Sequence, residues 1–513
     1  MNGAPSISVK RNIFANYIGS FWTALMGLAF IPLYIRFLGM EAFGLIGVFS
    51  VLQAWLALLD IGLGQTMSRE MARFRAGTHS PISIRDLLRS MEVIYVLLAV
   101  LVAAGVMTLA PWLATRWLTL EKLPSEVVAQ ALAITGAVVA LRLPAGLYRS
   151  ALNGLHEQVW LNASNVFFAT LRGVGVVTVL AWISPTIQAF FIFQGCAAGL
   201  ETAVLWLVLH RLLPGIDGRA HFSWDALGQV WRFAGGIVMI TVLSLLLTQV
   251  DKLLLAGLLP LTAFGHYTLA GLAANAILMV VAPITTAFYP RLTELVTRRD
   301  EGALRISYHQ AAQLVTVLTG AAGIVLIVFP DKLLLLWSGD AALTSQVAPL
   351  LAVLALGNLL NALMWVPYNL QLAHGWTGLA LKVNVAAVAV LVPALLWIVP
   401  KYGAIGAAWV WVALNAGNIA VTISLMHRRL LTMEKWRWYG QDVALPLAAG
   451  LGVAGVCRWV VPAAEGRLVA FIVLVLVGGS VLLAAALVAP TVRHQIPRHL
   501  PRWMRPGRLQ PEE

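Results

Sequence analysis

Residues 91–113 read MEVIYVLLAVLVAAGVMTLAPWL, and only Glu92 in that run ionises near neutral pH. At about 1.5 Å per residue, a helix of this length reaches the roughly 30 Å of a bilayer's hydrocarbon core. A soluble amphipathic helix needs a polar face, and this run has none. It predicts a membrane-spanning helix.

Similar windows recur along the whole chain of 513 residues. Fourteen are predicted, at 12–36, 43–64, 91–113, 126–147, 159–181, 187–209, 233–258, 263–289, 311–337, 347–370, 377–399, 404–426, 443–461 and 467–489. Composition agrees, with 60% hydrophobic and 11% charged residues, against about 45–50% and about 25% in soluble domains. The 19 Trp suit interfacial belts. The class is an all-α polytopic membrane protein, which excludes soluble, secreted disulfide-framework and disordered chains. Lys10 and Arg11 precede the apolar stretch from Ile13 to Ile35, too long for a signal-peptide core and so read as the first span.

Basic residues orient these spans. Arg69, Arg73, Arg75, Arg85, Arg89, Arg211, Arg291, Arg298, Arg428 and Arg437 fall in loops on one side, with few basic residues opposite. The positive-inside rule then places both termini in the cytoplasm. The net charge of +13 reads as topology and contact with anionic lipid headgroups, not as a nucleic-acid site. Cys196 and Cys457 lie in apolar runs, and the ten His show no ligand spacing, so no metal and no cofactor is expected. There is no GxxxxGK[ST] phosphate loop for ATP.

The chain also echoes itself. Ala42-Phe43-Gly44 matches Ala263-Phe264-Gly265, and Leu152-Asn153-Gly154-Leu155-His156 matches Leu370-Gln371-Leu372-Ala373-His374, at nearly the same shift. The implied plan is two six-helix pseudo-repeats and a C-terminal helix pair: a lobe at 1–210, a lobe at 211–440, appended spans at 441–490 and a basic tail at 491–513. Parallel repeats of this kind are a transporter architecture with a site between two bundles.

Several stretches then carry a family resemblance: Val9-Lys10-Arg11-Asn12-Ile13, Pro32-Leu33-Tyr34-Ile35-Arg36-Phe37-Leu38-Gly39, Leu59-Asp60-Ile61-Gly62-Leu63-Gly64, Asp251-Lys252-Leu253-Leu254-Leu255 and Phe288-Tyr289-Pro290-Arg291-Leu292. In these the chain resembles the multidrug/oligosaccharidyl-lipid/polysaccharide flippase superfamily, within it the polysaccharide-export branch. The resemblance implies a flippase of the bacterial inner membrane, not an enzyme. Its substrate would be a polyprenyl-pyrophosphate-linked glycan, moved by alternating access for O-antigen or exopolysaccharide synthesis, with polymerase or export machinery and membrane lipids as partners. It also implies a groove for the lipid tail at the last two spans.

Charged side chains within spans are costly, about 2.5–3.5 kcal/mol each on insertion scales, and mark candidate sites. Arg172 and Lys382 are expected to line a central cavity and attract pyrophosphate at different depths; Arg172 could instead pair with Glu201. Lys252 joins them as a cavity candidate, and Asp251 is the candidate for H+ or Na+ coupling or a structural ion pair. Asn165 and Asn384, equivalent to within one position under the repeat, are candidate sugar contacts, although buried amides more often bond helix to helix. Asp60 reads as structural. Arg36, Arg142 and Arg149 are expected near the interfaces, snorkelling or capturing and releasing phosphate. The competing readings are a lipid II flippase, a cation-coupled multidrug antiporter of the same superfamily, and a membrane glycosyltransferase or ligase. The short outer loops argue against the last.

Overall fold

The computed structural model describes residues 9–56, 63–215, 220–224, 228, 242, 245–246, 248–461 and 466–493, with side chains from residue 19 onward. Among the described residues the regular secondary structure is helical, joined by short turns and links, with one isolated bridge between Thr119 and Pro260. Among the described residues, 11 helices are long and apolar enough to cross a membrane. One of them, Gly378–Met426, contains two arms: Gly403 has φ 60° and ψ −149°, three residues after Pro400. That break falls between the windows predicted at 377–399 and 404–426. The described part of the window predicted at 43–64 is the Met40–Leu56 helix and the start of Leu63–Arg75. Much of the first half of the window at 233–258 lies outside the described residues, as does Asp60 of the window at 43–64. The protein is a multi-pass, all-helical membrane protein.

Two compact units divide the chain, Met1–Gly265 and His266–Glu513. In the first run α1 (Val9–Ala29), α2 (Ile31–Leu38), α3 (Met40–Leu56), α4 (Leu63–Arg75), α5 (Pro81–Trp112), α6 (Ser125–Gly154), α7 (Gln158–Trp182) and α8 (Ile187–Leu212). Helix α6 packs between α5 and α8, α4 lies on α6, and α1 lies along α7. Met91, Tyr95, Leu147, Leu152, Leu205 and Leu209 fill the seams. Short links are closed by local bonds: the Ser80 hydroxyl accepts from Ser83 N at 3.2 Å, and Thr186 Oγ1 accepts from Ala189 N at 3.3 Å. Glu41 holds an inter-helix loop, its carboxylate accepting backbone N–H groups of Glu121, Lys122 and Leu123 at 2.7–3.1 Å.

The repeated Ala-Phe-Gly triplets meet in space. A Cβ on Gly44 would lie 2.2 Å from Leu261 O, and one on Gly265 would lie 2.8 Å from Met40 O. Glycine at both positions is what lets these backbones touch.

In the second unit the Glu301–Val328 helix is central. It packs against Ala276–Arg298, Ala341–Leu363, Leu445–Val460 and Arg467–Val488. The last two helices are therefore built onto this unit. Asparagines bond helix to helix here: Asn358 Nδ2 donates to Asn275 Oδ1 at 3.0 Å, and Asn361 Nδ2 to Asn415 Oδ1 at 2.9 Å. Trp411 Nε1 donates to Asn358 Oδ1 at 2.9 Å, and Trp365 Nε1 to Asn361 Oδ1 at 3.3 Å.

Candidate substrate cavity

Arg172 stands fourteen residues into α7, about 20 Å along it. A carboxylate one helix away answers it: Arg172 Nη1 lies 2.9 Å from Glu201 Oε2. Arg149 on α6 approaches the other oxygen, Glu201 Oε1. The Glu201 side chain is 3% exposed, while Arg172 and Arg149 are 21% and 40% exposed. One buried carboxylate thus holds two cations that still reach open space.

That space is a cavity of about 400 Å³, lined by Gly19, Ser20, Thr23 and Ala24 of α1, Arg149 of α6, and Asn162, Asn165 and Arg172 of α7. Gly19 brings α1 close, because a Cβ there would lie 2.5 Å from Asn162 Oδ1. Trp22 Nε1 ties the same two helices by donating to Thr170 Oγ1 at 2.8 Å. Among the described residues the cavity wall offers guanidinium, amide and hydroxyl groups and no carboxylate.

A third guanidinium stands behind this wall. Arg142 shares a face of α6 with Arg149, two turns away. It donates to Gln53 Oε1 and Gln194 Oε1, each at 2.9 Å, and its Cζ lies 5.4 Å from the Phe49 ring centroid. Arg142 and Arg149 both turn into the first unit, beside Arg172. Among the described residues here, Arg149 and Arg172 pair with Glu201 while Arg142 meets neutral amides, so three neighbouring guanidinium groups share one carboxylate's charge, a surplus of two positive charges. Arg142 Nε and Arg149 Nε are buried without a hydrogen-bond partner. A guanidinium has five N–H donors in a planar fork, so Arg149 and Arg172 keep donors for a tetrahedral anion after serving Glu201.

The other expected residues separate. Asn165 lines the cavity, and Asn384 and Lys382 do not. Those two lie on the Gly378–Met426 helix of the second unit, Lys382 exposed and Asn384 half-buried. Lys252 Nζ lies 3.5 Å from Asp251 Oδ1 and donates to Thr248 O at 2.6 Å, so these neighbours do contact one another. Arg36 is exposed at the end of α2. Sequence reasoning missed the convergence of Arg142 and Arg149, although their seven-residue spacing on one helical face was the available signal.

A many-spanning helical fold thus carries a cavity lined by fixed cations. Known structures agree on the fold. The lipid II flippase MurJ in an inward closed conformation superposes with TM-score 0.66 at 13% identity, covering 95% of this chain and 100% of that one. An inward-facing multidrug resistance MATE family transporter of the MOP superfamily gives 0.62 at 15% identity, covering 83% and 99%. The model of the polysaccharide biosynthesis protein family matches residues 9–296, and the chain belongs to that family. A Shigella flexneri protein named as an O-antigen transporter is 20% identical over 425 residues, 79% of this chain and 94% of that protein.

Proposed function

We propose that this protein is a flippase for a polyprenyl-pyrophosphate-linked oligosaccharide, carrying it from the cytoplasmic to the outer leaflet of a bacterial inner membrane for polysaccharide or O-antigen synthesis. The surplus of positive charge around Glu201 carries this reading. A pyrophosphate is the part of such a lipid that hydrocarbon excludes, and paired guanidinium groups match phosphate oxygens bidentately. Asn162 and Asn165 stand beside the arginines and suit sugar hydroxyls. The lipid tail stays in the bilayer throughout. An organic cation would meet net repulsion here, which disfavours the multidrug antiporter. A lipid II flippase shares the pyrophosphate chemistry, and the MurJ-like fold keeps it as the second reading.

In this proposal the two six-span repeats, 1–6 and 7–12, rock to expose the site alternately, with both termini cytoplasmic. Lys382 serves the anion in the second repeat. The test is a flipping assay in proteoliposomes with polyprenyl-pyrophosphate oligosaccharide and, separately, lipid II. We expect the oligosaccharide lipid to move and Arg172→Ala to slow it about tenfold or more, the loss of one charged hydrogen bond. Movement of lipid II alone selects the second reading. Movement of neither lipid, with export of organic cations under a proton gradient, overturns both.

A further inference from the structure

A second buried ionisable cluster lies in the other unit and takes no part in the proposal above. His309, on the Glu301–Val328 helix, is 0% exposed. Its Nδ1 faces Asp442 Oδ2, and its Nε2 lies 3.0 Å from Glu434 Oε2. Asp442 is 0% exposed as well, in the widened π-helical turn Trp438–Ala444 that opens the next membrane helix. Such turns recur at functional positions because they displace one residue from the regular ladder.

The hydrogen-bond count of this cluster is unusual. A neutral imidazole has one N–H and one lone pair. Here each ring nitrogen meets a carboxylate oxygen, so with both carboxylates ionised a neutral ring aims its lone pair at an anion. Both contacts are hydrogen bonds only when one further proton is present, on the ring or on a carboxylate. The carboxylates flank opposite ring edges, and among the described residues no group arranged to hold a metal forms.

The neighbours do not supply that proton. From the His309 helix, Gln313 Nε2 donates to Asp442 Oδ1 at 2.8 Å, and Arg305 Nε lies 2.8 Å from Glu434 Oε1. Arg437 Nη1, at 3.7 Å from Glu434 Oε2, is the other cation at that carboxylate. Tyr308 OH faces His427 Nε2 at 3.4 Å, and His427 Nδ1 meets Leu431 O at 3.1 Å. With Nδ1–H given to that carbonyl, His427 accepts from Tyr308 as a neutral ring, and burial lowers its pKa. Tyr439 donates to Ile419 O at 3.2 Å. Gln313 Oε1 accepts from Thr491 N at 2.9 Å and from the Thr491 hydroxyl, which extends the network to the end of the last helix.

We propose that His309, Asp442 and Glu434 form a proton-binding site, and that the bound proton fastens the 434–444 segment and the end of the last helix to the Glu301–Val328 helix. An arginine in place of His309 would make that link permanent; histidine makes it conditional on pH. The Glu434 side chain, 11% exposed beside half-exposed Arg305 and Arg437, is the route by which the proton comes and goes.

The test is hydrogen–deuterium exchange on the full-length protein in nanodiscs, corrected for intrinsic exchange chemistry, across about pH 5 to about pH 8. We expect amides of 434–444 to exchange about tenfold faster at the upper end, as one charged hydrogen bond is lost. Amides of 341–363 should stay unchanged and so report that the fold is intact. His309→Gln and Asp442→Asn should each abolish the pH dependence, because the first removes the ring that takes the proton and the second lets the Asn amide donate to a neutral ring. Wild-type protection that is flat across the range overturns the proposal without any variant. Retention of the wild-type pH dependence by His309→Gln overturns it equally.

Discussion

The two units place polar groups inside the membrane in opposite ways. The first unit pairs Arg149 and Arg172 with the single carboxylate of Glu201, sets Arg142 nearby against neutral amides, and leaves Arg149 and Arg172 facing a cavity. The Asn275–Asn358–Trp411 and Asn415–Asn361–Trp365 contacts of the second unit join amides to one another and to indoles. Matched neutral networks hold helices together, each bond contributing on the order of 1 kcal/mol in a bilayer. Unmatched charge is costly to keep there, so its persistence marks a place where something of opposite sign is to be received. Residue type alone would not separate the two; the state of pairing does.

Removing the shared carboxylate attacks the comparison hardest. Glu201→Gln leaves two guanidinium groups without their anion, and we expect a loss of about 3–5 kcal/mol, read by thermal unfolding of the purified protein. A near-neutral result would mean that the cavity is wet enough to hold the arginines unaided. Arg172→Ala separates binding from folding, because Arg149 stays with Glu201. Thermal stability should fall by no more than about 1 kcal/mol while flipping falls about tenfold or more, and Arg172→Lys should recover only part of it. In the second unit, Asn358→Leu should cost about 1 kcal/mol and leave the flipping rate per folded molecule unchanged. A transport defect there would show that the amide network also touches substrate. Last, the exposed pair of Arg458 with Asp331 at 3.0 Å should matter least: Arg458→Ala is expected to change stability by less than about 0.5 kcal/mol.

Hydropathy made most of this fold legible. Apolar runs such as 91–113 appear as helices, and Pro400 with Gly403 marks the break between two long arms. Leu63–Arg75, a polar helix with Arg69, Arg73 and Arg75 along it, has too little hydropathy to be read as a span. In the cavity, Arg172 with Glu201 was readable as a charge pair on adjacent helices. Arg142 was not, since its partners Gln53 and Gln194 are uncharged and distant in the chain. His309 and Asp442 are separated by 133 positions, and no local pattern joins them. Spacing along one helix is written in sequence, whereas pairing between helices is settled by packing.

The order in which the cavity's charges occur along the chain bears on how the protein is made. Arg142 and Arg149 on α6 and Arg172 on α7 all leave the ribosome before Glu201 on α8. Until α8 arrives, each arginine faces the full cost of a charge in hydrocarbon, so α6 and α7 gain little by settling in the bilayer singly. The charges of α6 and α7 therefore reach their lowest cost in the lipid only once α8 stands beside them.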